Sequence, residues 1–117
     1  MQVSTEQKDG YAAVRISGSP SLGQFISLIQ ILAVDSASWP NPRGLFDLRG
    51  IDTLKAVTEH VAIGRAVVEH LPHLERLASV VGPDRITGIS RRVAREGGVE
   101  LSVFTDEAAA AEWLTSS

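Results

Sequence analysis

Asp47, Arg49, Asp52 and Thr53 stand within six residues of each other, directly after the apolar run Gly44-Leu45-Phe46. A carboxylate beside a guanidinium can hold a small polar ligand or a charged partner. In a parallel α/β sheet the space beyond a strand's carboxyl end is where ligands usually sit. If Gly44–Leu48 is such a strand, these four side chains are the first candidates for a ligand or partner site. They are also suited to plainer work, as a strand-end ion pair followed by a helix cap in which Asp52 or Thr53 accepts N–H bonds.

Other reactive residues form no catalytic set. His60 and His70 are ten residues apart on one expected helix, about 15 Å along its axis, so they do not share an ion. His70 and His73 flank Pro72 with no third ligand in view. We therefore assign no metal, no cofactor and no catalytic residue. The chain contains no Gly-x-Ser-x-Gly, P-loop or Gly-x-Gly-x-x-Gly pattern. Arg85, Arg92 and Arg95 recur at i, i+7 and i+10, with Arg91 beside them. They read as one basic helix side, open to an acidic partner or simply solvated.

The 117 residues carry 44% hydrophobic and 21% charged side chains and no cysteine. That is globular composition for a single domain spanning 1–117, with neither disulfides nor thiolate chemistry. A formal net charge of −3 and a pI near 5.5 lack the positive footprint of a nucleic-acid binder. The most apolar stretch, 25–34, is well short of the roughly 20 residues of a membrane span. The polar start MQVSTEQKDG does not read as a signal peptide. The expected location is the cytoplasm.

The elements that would position the four polar residues follow in order. Gln2–Lys8 reads as an edge strand, Asp9-Gly10 as a hairpin turn and Tyr11–Ser17 as a second strand. That strand's Arg15 lies near an edge or under a helix end. Ser19 is the expected N-cap, with Pro20 the first residue of a helix. Leu22, Phe25, Ile29 and Leu32 face inward on it, while Ile31 and Val34 face the other way as a dimer or groove surface. Residues 36–43 form a loop in which Trp39 covers the open end of the core. Gly44–Leu48 is the central strand, the turn Gly50-Ile51-Asp52 follows, and a helix begins near Thr53. Leu54, Val57, Val61, Gly64, Val68 and Leu71 make its buried stripe, with Gly64 packed closely on the sheet. Leu77–Val81 is a third buried strand. A helix from Gly82-Pro83-Asp84 turns Ile86, Ile89 and Val93 inward and ends at Gly97-Gly98. Val99–Phe104 is the last strand. Thr105-Asp106-Glu107 caps a closing helix that buries Ala109, Ala110 and Trp113. The order β-β-α-β-α-β-α-β-α predicts an α/β fold: a single-layer, mostly parallel sheet with right-handed crossovers, helices packed on it, and one antiparallel strand from the N-terminal hairpin.

This order, the strand end FDLRG, the segment LERLASVVGP and the ending VELSVFTDEAAAAEWL together resemble the SpoIIAA-like family, small bacterial domains of STAS/CRAL-TRIO type. The resemblance spans nearly the whole chain. It implies a non-enzymatic regulatory or protein-interaction module. Some STAS relatives are switched by phosphorylation of a serine in an Asp-Ser-Ser-Gly-like turn. The corresponding turn here, Gly50-Ile51-Asp52-Thr53-Leu54, is shorter and offers only the Thr53 hydroxyl. CRAL-TRIO relatives enclose apolar lipids, which gives the alternative: a small-molecule or lipid binder using the crevice at the strand ends. Expected partners are thus a second copy of the chain, a partner protein, or a small apolar or anionic ligand.

Overall fold

The computed structural model describes residues 1–85 and 88–116. The element order is β1 (Gln2–Lys8), β2 (Tyr11–Gly18), α1 (Leu22–Ser36), β3 (Arg43–Ile51), α2 (Val57–His70), β4 (Arg76–Val80), a 3-10 turn (Pro83–Arg85), α3 (Ile89–Glu96), β5 (Leu101–Phe104) and α4 (Glu107–Thr115). The five strands form one sheet in the order β1-β2-β3-β4-β5, with β3 in the middle. The β1–β2 pair is antiparallel around Asp9-Gly10, where Gly10 takes the positive φ the turn requires. The other three pairings are parallel.

Side chains alternate across the sheet, and each face has its own core. Val14, Ile16, Phe46, Leu77 and Leu101 point to one face, where α1, α2 and α3 cover them with Phe25, Leu28, Ile29, Leu32, Ala66, Val67 and Ala94. Leu45, Ala78 and Val80 point to the other, where α4 alone covers them with Ala110 and Leu114. Trp39 packs against the three-helix core, as expected of a cover over its end.

Several local expectations are corrected. The N-cap of α1 is Ser21, not Ser19: Ser21 Oγ accepts from Gln24 N at 3.2 Å, and Gln24 Oε1 accepts from Ser21 N at 2.9 Å. This reciprocal capping box follows the Ser-x-x-Gln spacing. The helix after β3 starts at Val57, not near Thr53. Gly50 and Ile51 continue the strand, and Leu54 takes a left-handed φ of 63° before the helix begins. Val57 is accordingly 60% exposed, while Gly64, Ala66 and Val67 carry the buried face. Gly64 packs closely on α3 rather than on the sheet, since a Cβ there would sit 2.8 Å from Val93 Cβ and 3.1 Å from the Ser90 carbonyl. The Pro83 segment is a 3-10 turn, so α3 starts later; Ile86 lies outside the described residues. In α4, Asp106 is the N-cap, Ala110 and Leu114 are buried, Trp113 is partly buried and Ala109 is exposed.

Candidate functional site

β2 and β3 pair with Arg15 opposite Asp47, then with Ser17 opposite Gly50, so β3 carries an extra residue at Leu48-Arg49. A bulge of this kind re-aims the side chain it carries. Arg49 folds back on Asp47: its Nε donates to Oδ1 at 2.9 Å, its Nη2 to Oδ2 at 2.9 Å, and its backbone N–H to Oδ1 at 3.2 Å. From β2, Arg15 Nη1 donates to Asp47 Oδ2 at 3.0 Å. Because Leu45 and Asp47 share a face, the cluster lies on the α4 side of the sheet. There Glu107, in the first turn of α4, accepts from Arg15 through both carboxylate oxygens and from Arg49 Nη2 at 3.3 Å.

Two arginines and two carboxylates thus form a closed, charge-balanced network. Hydrogen bonds from Arg49 and Arg15 hold the Asp47 carboxyl below the usual carboxylate range. Bonds from Arg15 hold Glu107 low as well. The same contacts raise both guanidinium groups. Asp47 is the best covered of the four, its side chain 12% exposed against 45% for Arg49. Arg15, Asp47 and Arg49 line a surface depression with Ser4 and Ser17.

Asp52 and Thr53 do not join this network. Asp52 Oδ1 accepts from Ser19 Oγ at 2.6 Å, and Thr53 Oγ1 donates to the Pro20 carbonyl at 2.6 Å. They tie the end of β3 to the approach of α1. The four expected site residues therefore divide into two pairs with different duties. Of the two expected places for Arg15, near an edge or under a helix end, the structure has the second, and the helix is α4. In the sequence Glu107 stands out only as part of the cap of the closing helix; its pairing with two arginines depends on strand register, which no local pattern spells out.

On α1, Ile31 is 65% and Val34 79% exposed. Ile31 borders a groove between α1 and the edge strand β1, shared with Val3, Thr5 and Leu28. The histidines are dispersed: His73 Nε2 meets Ser36 Oγ at 2.7 Å, and His60 Nε2 meets the Leu54 carbonyl at 2.9 Å. Among the described residues no three of His, Asp and Glu converge on a metal-sized site. The arginines do not form one basic side either. Arg95 is turned to Glu100, Ser102 and the Leu101 carbonyl. Arg85 belongs to the 3-10 turn and lines a cavity of about 110 Å³ between the sheet and the three helices.

The SpoIIAA-like family pattern matches residues 11–115. The chain belongs to the SpoIIAA-like family. Its fold is similar to that of an anti-sigma factor antagonist from Mycobacterium paratuberculosis, with a TM-score of 0.68, 14% identity, and 98% of this chain and 94% of that one covered. It is also similar to an uncharacterised DUF3478-family protein with a SpoIIAA-like fold from Shewanella loihica PV-4. There the TM-score is 0.63 at 19% identity, covering 97% of this chain and 92% of the other. No curated protein matches the sequence. At these identities the neighbours support the SpoIIAA-like fold, a mixed five-stranded α/β sheet. Among the described residues no helix is long and apolar enough to cross a membrane.

Proposed function

We propose that the 117 residues act as one non-enzymatic SpoIIAA-like domain that binds a partner protein through the charged end of the sheet. The reading is carried by the state of the Arg15–Asp47–Arg49–Glu107 network. A general base works best with a pKa near the operating pH, whereas both carboxyls here are held low by shared arginines. Such a network is a poor proton acceptor and a good polar docking surface, ordered before binding and presenting the half-exposed Arg49. Asp52 and Thr53 flank it across the strand end. The fold of the mycobacterial anti-sigma factor antagonist supports a role in protein contacts. Arg49→Glu tests the surface: a partner that co-purifies with the unmutated chain is lost from the variant, while the fold, read by circular dichroism, persists. An unchanged set of co-purifying proteins refutes it.

The exposed Ile31 and Val34 support a homodimer through α1. Light scattering is expected to give twice the chain mass, reduced to one by Ile31→Glu. A strict monomer at high concentration removes this part.

A second reading, a small-ligand binder, is favoured by one observation, the 110 Å³ cavity. It lies on the three-helix side, so the crevice beside Asp47 is not where this reading finds support.

A further inference from the structure

The cavity wall is apolar except at a few points. Phe25, Phe46, Leu48, Ile63 and Leu101 are among its apolar lining, and His60, Ser79, Ser90 and Arg85 are the polar residues on it. One of these is unusual. The Nη2 of Arg85 is shielded from solvent and has no hydrogen-bond partner in the protein. A guanidinium keeps its charge at any ordinary pH, and a buried donor left unpaired carries the full loss of its hydration. Loss of the proton, the usual escape of a buried base, is closed to it.

We propose that this cavity binds a compact amphipathic monocarboxylate, its apolar body among Phe25, Phe46 and Leu101 and its carboxylate on Arg85 Nη2. This rests on the small-ligand reading and adds the ligand's chemical class. The size follows from the volume. An engineered apolar cavity of roughly 150 Å³ accepts benzene, so 110 Å³ suits a short alkyl chain or one small ring, not a full-length lipid tail. The charge follows from the wall. Among the described residues Arg85 is the only Arg or Lys on it and no Asp or Glu joins it, while the histidine there, His60, meets the Leu54 carbonyl through Nε2. A carboxylate brings one negative charge at neutral pH, whereas a phosphate monoester brings about 1.5 to 2 and would remain unbalanced. The hydroxyls of Ser79 and Ser90 add donors to the same wall.

The test is isotope-edited NMR of the full chain, titrated with hexanoate and separately with 1-hexanol, which has the same chain length and no charge. Saturable shifts at the amides of Ser79 and Leu101 are expected with hexanoate. Binding should be about tenfold or more tighter than for 1-hexanol, the usual worth of a hydrogen bond to a charged group. Arg85→Met should erase that preference and leave 1-hexanol binding as it was. If both ligands bind equally well, the carboxylate assignment is overturned and the small-ligand reading stands. If neither shifts these amides up to about 10 mM, an affinity floor too weak to matter, both are overturned. The comparison on the unmutated chain decides the matter even if Arg85→Met fails to fold.

Discussion

Gly64→Ala is the sharpest probe of how α2 and α3 are held together. On an open helix face, replacing glycine by alanine stabilises by about 1 kcal/mol, because alanine loses less backbone entropy. Here the new methyl would lie 2.8 Å from Val93 Cβ, 3.0 Å from Val93 Cγ1 and 3.1 Å from the Ser90 carbonyl oxygen. Comfortable carbon contacts begin near 3.5 Å, so α3 must retreat by several tenths of an ångström. Neither Val93 Cβ nor a backbone carbonyl can rotate out of the way. Overpacking of this kind costs about 1–3 kcal/mol, so after the gain of about 1 kcal/mol the net expectation is a loss of up to about 2 kcal/mol. For a chain of this length that lowers Tm by very roughly 4 °C per kcal/mol. Urea unfolding of Gly64→Ala, Val93→Gly and the double variant closes a thermodynamic cycle. Moving the Cβ from one helix to the other should leave the double variant more stable than the sum of the singles by about 1–2 kcal/mol. A Gly64→Ala protein more stable than the parent, or a coupling near zero, would refute the close α2–α3 contact.

Ser21→Ala should cost about 1 kcal/mol through loss of the capping box, against a few tenths if Ser19 were the cap; thermal melts of Ser21→Ala and Ser19→Ala side by side check it. Asp47 and Glu107 have folded pKa values below their unfolded ones. Their contribution is therefore complete above about pH 4.3, the unfolded value for glutamate, and is lost as pH falls through the folded values. Glu107→Gln should cost less than about 1 kcal/mol at neutral pH, because the side chain is a third exposed and screened. Its gap to the parent in urea midpoint should narrow as pH falls below about 4.3, the unfolded value; a gap of the same size at acid and neutral pH contradicts the network. Leu114→Ala should cost about 2–5 kcal/mol, since Leu114 is fully buried between α4 and the sheet; a loss below about 1 kcal/mol would mean that α4 is not docked.

The elements were legible because their signals are local. Apolar runs mark β3 and β4, and Asp-Gly marks the hairpin. The acidic start of α4 was visible for the same reason. What escaped was set by contacts between distant residues. Asp52 and Thr53 look like caps for α2, but their side chains are already engaged by Ser19 and Pro20, so the helix begins later and Val57, its first residue, is exposed. The helical stripe correctly put Gly64 inside without saying which neighbour it met. Arg85 fitted a periodic basic face only while residues 83–96 were taken as one helix; the 3-10 turn breaks that phase and sends Arg85 to the cavity. Of the four expected site residues, the sequence grouped by adjacency what the structure divides: Arg49 turns back to Asp47, while Asp52 and Thr53 turn to Ser19 and Pro20.

The two faces of β3 explain why one strand serves both proposed roles. Leu45 and Asp47 point toward α4, while Phe46 and Leu48 point toward the cavity. The α4 helix is held from both ends: Glu107 is gripped by Arg15 and Arg49, while Arg76 and Arg43 donate to the carbonyls of Trp113 and Leu114. Carboxylate at the amino end and guanidinium at the carboxyl end both suit the helix dipole. A helix clamped this way keeps the charged surface fixed. On the opposite side no such clamp spans the cavity among the described residues: Arg85 sits on a short 3-10 turn between β4 and α3. A change that moved this turn would reach the charged surface only through the strand ends, where Phe46 and Asp47 are adjacent residues. Coupling between ligand and partner is therefore expected to run along β3, through the adjacent Phe46 and Asp47.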